Sequence, residues 1–329
     1  MDKQPMFSVI LPVCHGDRFL ESALSSLQNV IVPTSGFEVI VSGTYEAAAA
    51  ILNRYTAPGF WYVESRGNRS EVLNAACAAA RGQYWVFSDD DCVFPSDWLL
   101  KIEQALTDFP DASVLGGSDV LAMGAGNFDL ALDVVLNSWI GTGGTRANRS
   151  FKAGRYYPKL WNMIVSADVA KRVVTDRGCI FDPSLAVHED VDFIDRIEAQ
   201  NGKVVYVPSV RVEHSRETNF KSFFFRNMNM AVVCRQANIH RMSHLAMAIF
   251  FAGVALLGIA AFFSPRITPV LLFIAGSYLV AVVGTAIYGA WAKKNLAVLI
   301  MVPALLFSLH LARTFGYVFS TRLGSEVHP

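Results

Sequence analysis

Short apolar runs alternate with helical stretches over the first part of the chain. The runs Phe7 to Pro12, Phe37 to Val41, Phe60 to Glu64, Tyr84 to Ser88 and Ser113 to Gly117 are rich in Val, Ile, Phe and Tyr and lack strict polar alternation. That pattern suits strands covered on both faces, and repetition of strand and helix predicts right-handed βαβ units around a largely parallel α/β sheet. Ligands of such sheets bind beyond the carboxyl ends of the strands.

From Gly124 to Pro158 the periodicity fades and a Gly-rich piece, Gly141-Thr142-Gly143-Gly144, predicts a mobile loop beside the site. Helical patterning resumes at Ser166 to Val174 and Glu189 to Gln200. A strand-like pair follows, Val204 to Val207 and Val210 to Glu213, and the first domain closes near residue 218. Asn219 to Met242 mixes Phe220, Phe223, Phe224, Phe225, Met228 and Met230 with Lys221, Arg226, Arg235 and Arg241. This reads as one or two amphipathic helices (219–243) in a headgroup layer, the alternative being a helix packed on the sheet. Residues 244–329 form a transmembrane region. Leu245 to Phe263 and Val270 to Tyr288 carry no charged side chain and approach the ~20 residues that cross a bilayer. A third segment, about 296–318, contains Pro303 and His310 and spans with a kink or re-enters.

Charge adds an orientation. Arg235, Arg241, Lys293 and Lys294 fall on one side of a hairpin made by the first two spans, against only Arg266 in the turn, which places the N-terminal domain in the cytoplasm and the chain in the inner, cytoplasmic membrane as a multi-pass protein. Met1 to Phe7 lacks the pattern of a signal peptide. Overall, 28 basic residues balance 28 acidic ones, so no global field draws nucleic acid. The five cysteines are scattered without metal spacing and read as reduced thiols. No GxGxxG or P-loop lysine is present.

The strongest chemical signal is Asp89-Asp90-Asp91 directly after the apolar run Trp85-Val86-Phe87-Ser88. Three adjacent carboxylates repel one another unless a cation shares them, and hard oxygen ligands select Mg²⁺ or Mn²⁺. The alternative is a solvated acidic turn. Arg66-Gly67-Asn68-Arg69 ends the third strand, so its cations are candidates for a donor base or diphosphate, the alternative being a solvated basic turn.

With these residues, the soluble part resembles the family 2 glycosyltransferases, inverting enzymes of the GT-A fold. Ser8-Val9-Ile10-Leu11-Pro12-Val13 resembles the opening strand; Asn74 with Ala80-Arg81-Gly82 resembles the helix before the metal motif; Asp89-Asp90-Asp91 fits the DxD motif. Phe181-Asp182-Pro183, His188-Glu189-Asp190 and Asp192 to Arg196 are similar to the element carrying the catalytic Glu-Asp pair, and Val212-Glu213-His214 to the closing segment with its metal histidine. The resemblance implies Asp190 as catalytic base. It implies Asp89, Asp91 and His214 as metal ligands, and Pro12, Val13, Arg66, Arg69, Asn74, Asp89 and Asp90 on the donor side. Trp161, Asn162 and Glu189 fall on the acceptor side. Alternatives remain: Glu189, Asp190 and Asp192 as ordinary first-turn acids of a helix, Trp161 as a core residue, His214 as a surface residue.

Two stretches depart from the family pattern. Ser42-Gly43-Thr44 replaces the usual acidic turn that contacts the donor base, and His15-Gly16-Asp17 replaces an Asn-containing turn. The QxxRW motif of processive synthases is absent. The expected activity is therefore transfer of one sugar from a nucleotide-sugar, UDP-linked by default, to a hydroxyl of a polyprenyl- or other lipid-linked acceptor in envelope-glycan assembly such as exopolysaccharide or O-antigen. Runners-up are a polyprenyl-phosphate hexose synthase, which needs no base, and a non-catalytic membrane scaffold. Homo-oligomerisation stays open.

Overall fold

The computed structural model describes residues 4–13, 19–34, 36–44, 46–55, 59–121, 124–142, 156–185, 187–215, 219–236 and 242–323. The turn His15-Gly16-Asp17, the glycines Gly143 and Gly144, and Arg241 lie outside the described residues. Two compact units divide the chain, one of residues 1–123 with 155–216, the other of 124–154 with 217–329.

The first unit is built on strands β1 (Phe7–Val13), β2 (Phe37–Gly43), β3 (Phe60–Glu64), β4 (Tyr84–Phe87), β5 (Cys92–Val93), β6 (Val114–Leu121), β7 (Met163–Ser166) and β8 (Val204–His214). They form one sheet in the order β3-β2-β1-β4-β7-β6-β8-β5. β1, β2, β3, β4, β6 and β8 run one way, whereas β7 and β5 are antiparallel to their neighbours. The five strands expected in the first part are present, and they end on a common edge at Val13, Gly43, Glu64, Phe87 and, through β6, Leu121. Two short strands, β5 and β7, carry too few residues to show a period of two. The pair expected at 204–213 is a single strand, β8, bent where the β6 register slips between Gly117 and Ser118.

Helices in the first unit are α1 (Leu20–Gln28), α2 (Glu46–Leu52), α3 (Arg69–Ala79) and α4 (Trp98–Asp108). The second unit claims α5 (Asn127–Asn137) and α6 (Trp139–Thr142), and the chain returns to the sheet with α7 (Ala167–Arg172) and α8 (Glu189–Ala199). The sheet is covered on both faces. Val9, Leu11, Val39, Val41 and Val86 meet Leu24, Leu27, Trp98 and Ile102 on one side, while Ile10, Ile40, Trp85 and Phe87 meet Leu73, Phe193 and Ile194 on the other. This is why the strands read as unbroken apolar runs. One charge is buried among them: Glu38 accepts from Ser8 Oγ at 2.7 Å and from Arg81 N and Nε at 2.7 and 2.9 Å, so the cost of burying it is offset by a full set of donors.

The second unit continues with α9 (Phe220–Gln236), α10 (Met242–Phe263), α11 (Thr268–Lys293) and α12 (Ala297–Leu323). Leu245–Phe263, Pro265–Lys293 and Ala297–Ser320 are each long and apolar enough to cross a membrane. Pro303 sits inside α12 without ending it. Of the loop expected over 124–158, residues 124–142 are instead largely helical, and residues 143–155 lie outside the described residues. Phe128, Ala131, Leu132 and Val135 make a helical stripe on α5 that packs with Val282, Val298 and Leu306, and interleaved Asp129, Asp133 and Asn137 concealed it in the sequence. Lys293 pairs with Asp133 at 2.7 Å, and α6 gives its Ile140 and Gly141 carbonyls to His310 and Arg313 at 2.9 and 2.7 Å. The segment therefore groups with the apolar helices, whereas the sequence had placed it in a domain running to residue 218. On α9, Phe223, Ala231 and Val232 are buried while Phe220 and Phe225 are exposed.

Candidate active site

Each element reaches the carboxyl edge of the sheet for a local reason. β4 is buried along its apolar positions and stops at Phe87, and Ser88 Oγ donates to Trp161 O at 2.8 Å, so the next residues, Asp89-Asp90-Asp91, must turn at that edge. α3 starts there through a capping box, in which Asn68 accepts from Glu71 N and Glu71 accepts from Asn68 N. Gly67 precedes it with φ of 119°, a left-handed conformation that also spares the Glu71 carboxylate a collision with a side chain.

Arg69, the first residue of α3, pairs with Asp89 and places Nε 3.2 Å from Glu189 Oε1. One guanidinium thus ties the acidic turn to the start of α8, where Asp190 lies. Asp190 pairs with Lys159 and accepts from Val191 N at 2.9 Å. His188, which caps α8, holds a left-handed φ of 69°, a strained conformation of the kind found where a site is preorganised. Burial pushes the Glu189 carboxyl above its ordinary range against the pull of Arg69.

β5 and β8 bring the other end of the site in. Cys92 is the register partner of His214, and His214 Nε2 lies 3.1 Å from Asp91 Oδ1. On the other side of the ring, Nδ1 faces Asp119 Oδ2 at 3.6 Å, just beyond hydrogen-bond length. Burial alone would lower the His214 pKa, but Asp119 and Asp91, with Asp89 behind them, raise it to about 9. Burial together with the charges of Asp89 and Asp91 lifts Asp90 to about 7. Asp91, Cys92 and His214 offer ligand atoms within 4.8 Å of one another. Carboxylate oxygens and one imidazole suit a hard divalent cation such as Mg²⁺ or Mn²⁺. The Cys92 thiol is buried, and burial with the same two carboxylates holds it well above the usual thiol range.

The sequence-derived site residues separate accordingly. Asp89, Asp91, Arg69, Glu189 and His214 meet through the contacts above, and Asp190 adjoins them on α8. Trp161 sets its ring 5.0 Å from that of His214. Other positions do different work. Asn162 is buried; it donates to Ser118 O and Val210 O at 3.0 and 3.1 Å and accepts from Trp98 Nε1, so its amide locks the sheet instead of facing an acceptor. Asn74 exchanges hydrogen bonds of 2.8 and 2.9 Å with the backbone of Phe181 and, with Asn68 donating to Pro183 O, fastens the segment leading to α8. Val13 has its side chain in the core, Pro12 is buried beside it, and Arg66 points to solvent with Glu64 at 3.2 Å. Lys159 and Asp119 escaped the sequence reading. A single lysine and a single aspartate in otherwise unmarked stretches give no local signal, and only a non-local pairing assigns them.

Residues 8–168 match the model of the family described as glycosyl transferase family 2. No curated protein matches the sequence. Among solved structures, a mannosyltransferase from Pyrobaculum calidifontis, determined with GDP-Man and Mn²⁺, aligns at 15% identity with a TM-score of 0.59 over 94% of this chain and 87% of that one. TarS of S. aureus aligns at 18% identity and 0.47, covering 97% of this chain and 91% of the fragment solved. Glucosyl-3-phosphoglycerate synthase of Mycobacterium tuberculosis aligns at 15% and 0.45, over 72% and 82%.

Proposed function

We propose that this chain, whose residues 8–168 match glycosyl transferase family 2 and which has the GT-A fold, is a membrane-anchored, metal-dependent, inverting transferase that moves one sugar from a nucleotide-sugar to a hydroxyl of a lipid-linked acceptor. The observation that carries this is the linkage through Arg69, which joins Asp89 of the acidic turn to Glu189, the neighbour of Asp190. Donor-side charge and a separate carboxylate suited to deprotonate an acceptor are thereby held in one site.

An inverting transfer needs a base on the acceptor side, in-line attack at the anomeric carbon and neutralisation of the leaving diphosphate. Asp190 takes the acceptor proton on a carboxylate oxygen, which Lys159 and Val191 N hold in place. Asp89, Asp91 and His214 would hold Mg²⁺ or Mn²⁺, which would supply positive charge to neutralise phosphate oxygens. Arg69 adds a second cation at the donor side, and Glu189 fixes its direction. Three apolar helices support anchoring in a membrane; the basic residues Arg235, Lys293 and Lys294 beside the first two spans favour the cytoplasmic side for the catalytic unit, where a polyprenyl-linked intermediate of envelope-glycan assembly would be met.

The test uses purified full-length protein in detergent, a panel of nucleotide-sugars including UDP- and GDP-linked ones, and a polyprenyl-diphosphate-sugar acceptor, with nucleotide release as readout. Metal-dependent release that rises with acceptor supports the reading. Transfer to polyprenyl phosphate instead selects the hexose-synthase alternative, and no release with any donor leaves a non-catalytic scaffold. Flotation with liposomes tests anchoring: recovery of the full chain free of vesicles sinks that part.

A further inference from the structure

His214 is the one proposed metal ligand with a second carboxylate at its far nitrogen. Strand register explains the arrangement: Asp119 on β6 pairs with Val212 on β8, and Leu121 pairs with His214, so Asp119 and His214 are diagonal neighbours on one face. Asp119 is only 7% exposed, and His214 9%. A carboxylate buried in a sheet is costly unless a partner meets it, and here the imidazole does. The ring is confined by three groups: Asp91 at Nε2, Asp119 at Nδ1, and the Trp161 ring packed against it.

We propose that Asp119 is a positioning residue that holds Nδ1–H of His214 and so presents the Nε2 lone pair to the cation. The inference rests on the reading of Asp91 and His214 as metal ligands. An imidazole has two nitrogens and ligates through one; a carboxylate on the other fixes both the tautomer and the ring orientation and makes the ligating nitrogen more basic. Nδ1 stands 3.6 Å from Asp119 Oδ2 while Nε2 stands 3.1 Å from Asp91 Oδ1, so the two carboxylates face opposite nitrogens of one ring. Asp119 thus acts through His214 and touches neither sugar nor phosphate.

The experiment is a Mn²⁺ titration of the full-length protein in detergent without donor, read by the loss of the free-Mn²⁺ electron paramagnetic resonance signal and, in parallel, by Trp161 emission as the difference from a Trp161→Phe control. Asp119→Asn is expected to weaken Mn²⁺ binding about 10- to 100-fold. In an His214→Ala background, where Mn²⁺ is already held more weakly, the same change is expected to have no further effect. Mn²⁺ affinity of Asp119→Asn within twofold of the wild type, or an equal loss in both backgrounds, overturns the assignment while leaving the metal site standing. A wild type that binds no Mn²⁺ removes the metal reading and this inference with it. Should Asp119→Asn not fold, Asp119→Glu keeps the charge and displaces the carboxylate by one methylene; at least threefold weaker binding is expected, and unchanged binding overturns the proposal.

Discussion

Replacing Asp190 by asparagine separates catalysis from helix stabilisation, because the two roles differ in both magnitude and observable. The amide keeps an oxygen for Val191 N, which donates to Asp190 at 2.9 Å, but it cannot accept a proton from a sugar hydroxyl. Loss of a general base lowers the rate about 10²- to 10⁴-fold, or roughly 3 to 5 kcal/mol in the barrier. If Asp190 only decorates the first turn of α8, with Glu189 and Asp192 beside it, the change removes about 0.3 to 1 kcal/mol of helix stability and part of the Lys159 pair, leaving the rate per folded molecule intact. The donor-side groups are organised by other residues, Arg69 and His214, so donor KM should stay within about threefold. Nucleotide release by the purified variant, measured with acceptor at saturation and normalised to folded protein by circular dichroism, gives kcat and KM separately. A variant that keeps more than about a tenth of wild-type kcat on a hydroxyl acceptor refutes the assignment of the base.

Three further outcomes follow from the same geometry. Arg69→Met leaves Asp89 and Glu189 without their shared cation; charge-assisted hydrogen bonds contribute about 1.5 to 3 kcal/mol, so donor KM should rise about tenfold or more, and an unchanged KM counts against Arg69 on the donor side. Asn162→Ala strands the Ser118 and Val210 carbonyls and the Trp98 indole N–H inside the unit; chemical denaturation should show a loss of about 2 to 4 kcal/mol with acceptor KM unchanged in the folded fraction, whereas a selective effect on KM restores an acceptor role. In EDTA, protonated His214 stabilises the fold. Its folded value of about 9 exceeds the ordinary 6.5, so the contribution, roughly 3 kcal/mol, is complete below pH ~6.5 and is lost as pH rises through 9. Thermal melts from pH 6 to 10 should show that fall, and a profile matching that of His214→Gln contradicts it.

Local order along the chain was enough for much of this protein. Apolar runs such as Phe7 to Pro12 and Tyr84 to Ser88 encode buried strands because a doubly covered sheet demands apolar side chains on both faces. Asp89-Asp90-Asp91 announced an acidic strand end because the three residues are adjacent in sequence. The three long apolar segments stood out because hydrocarbon requires about 20 such residues in a row. Tertiary structure decided the rest. The stripe Phe128, Ala131, Leu132 and Val135 gained meaning only when α5 found Val298 and Leu306, and Asn74 and Asn162 turned out to bind backbone because their partners lie more than 40 residues away. The same holds for the pairs Arg69 with Glu189, Lys159 with Asp190 and Asp119 with His214. Composition and periodicity report which face of an element is buried; which charges meet across elements depends on strand register and helix docking, and those are settled only when the whole sheet assembles.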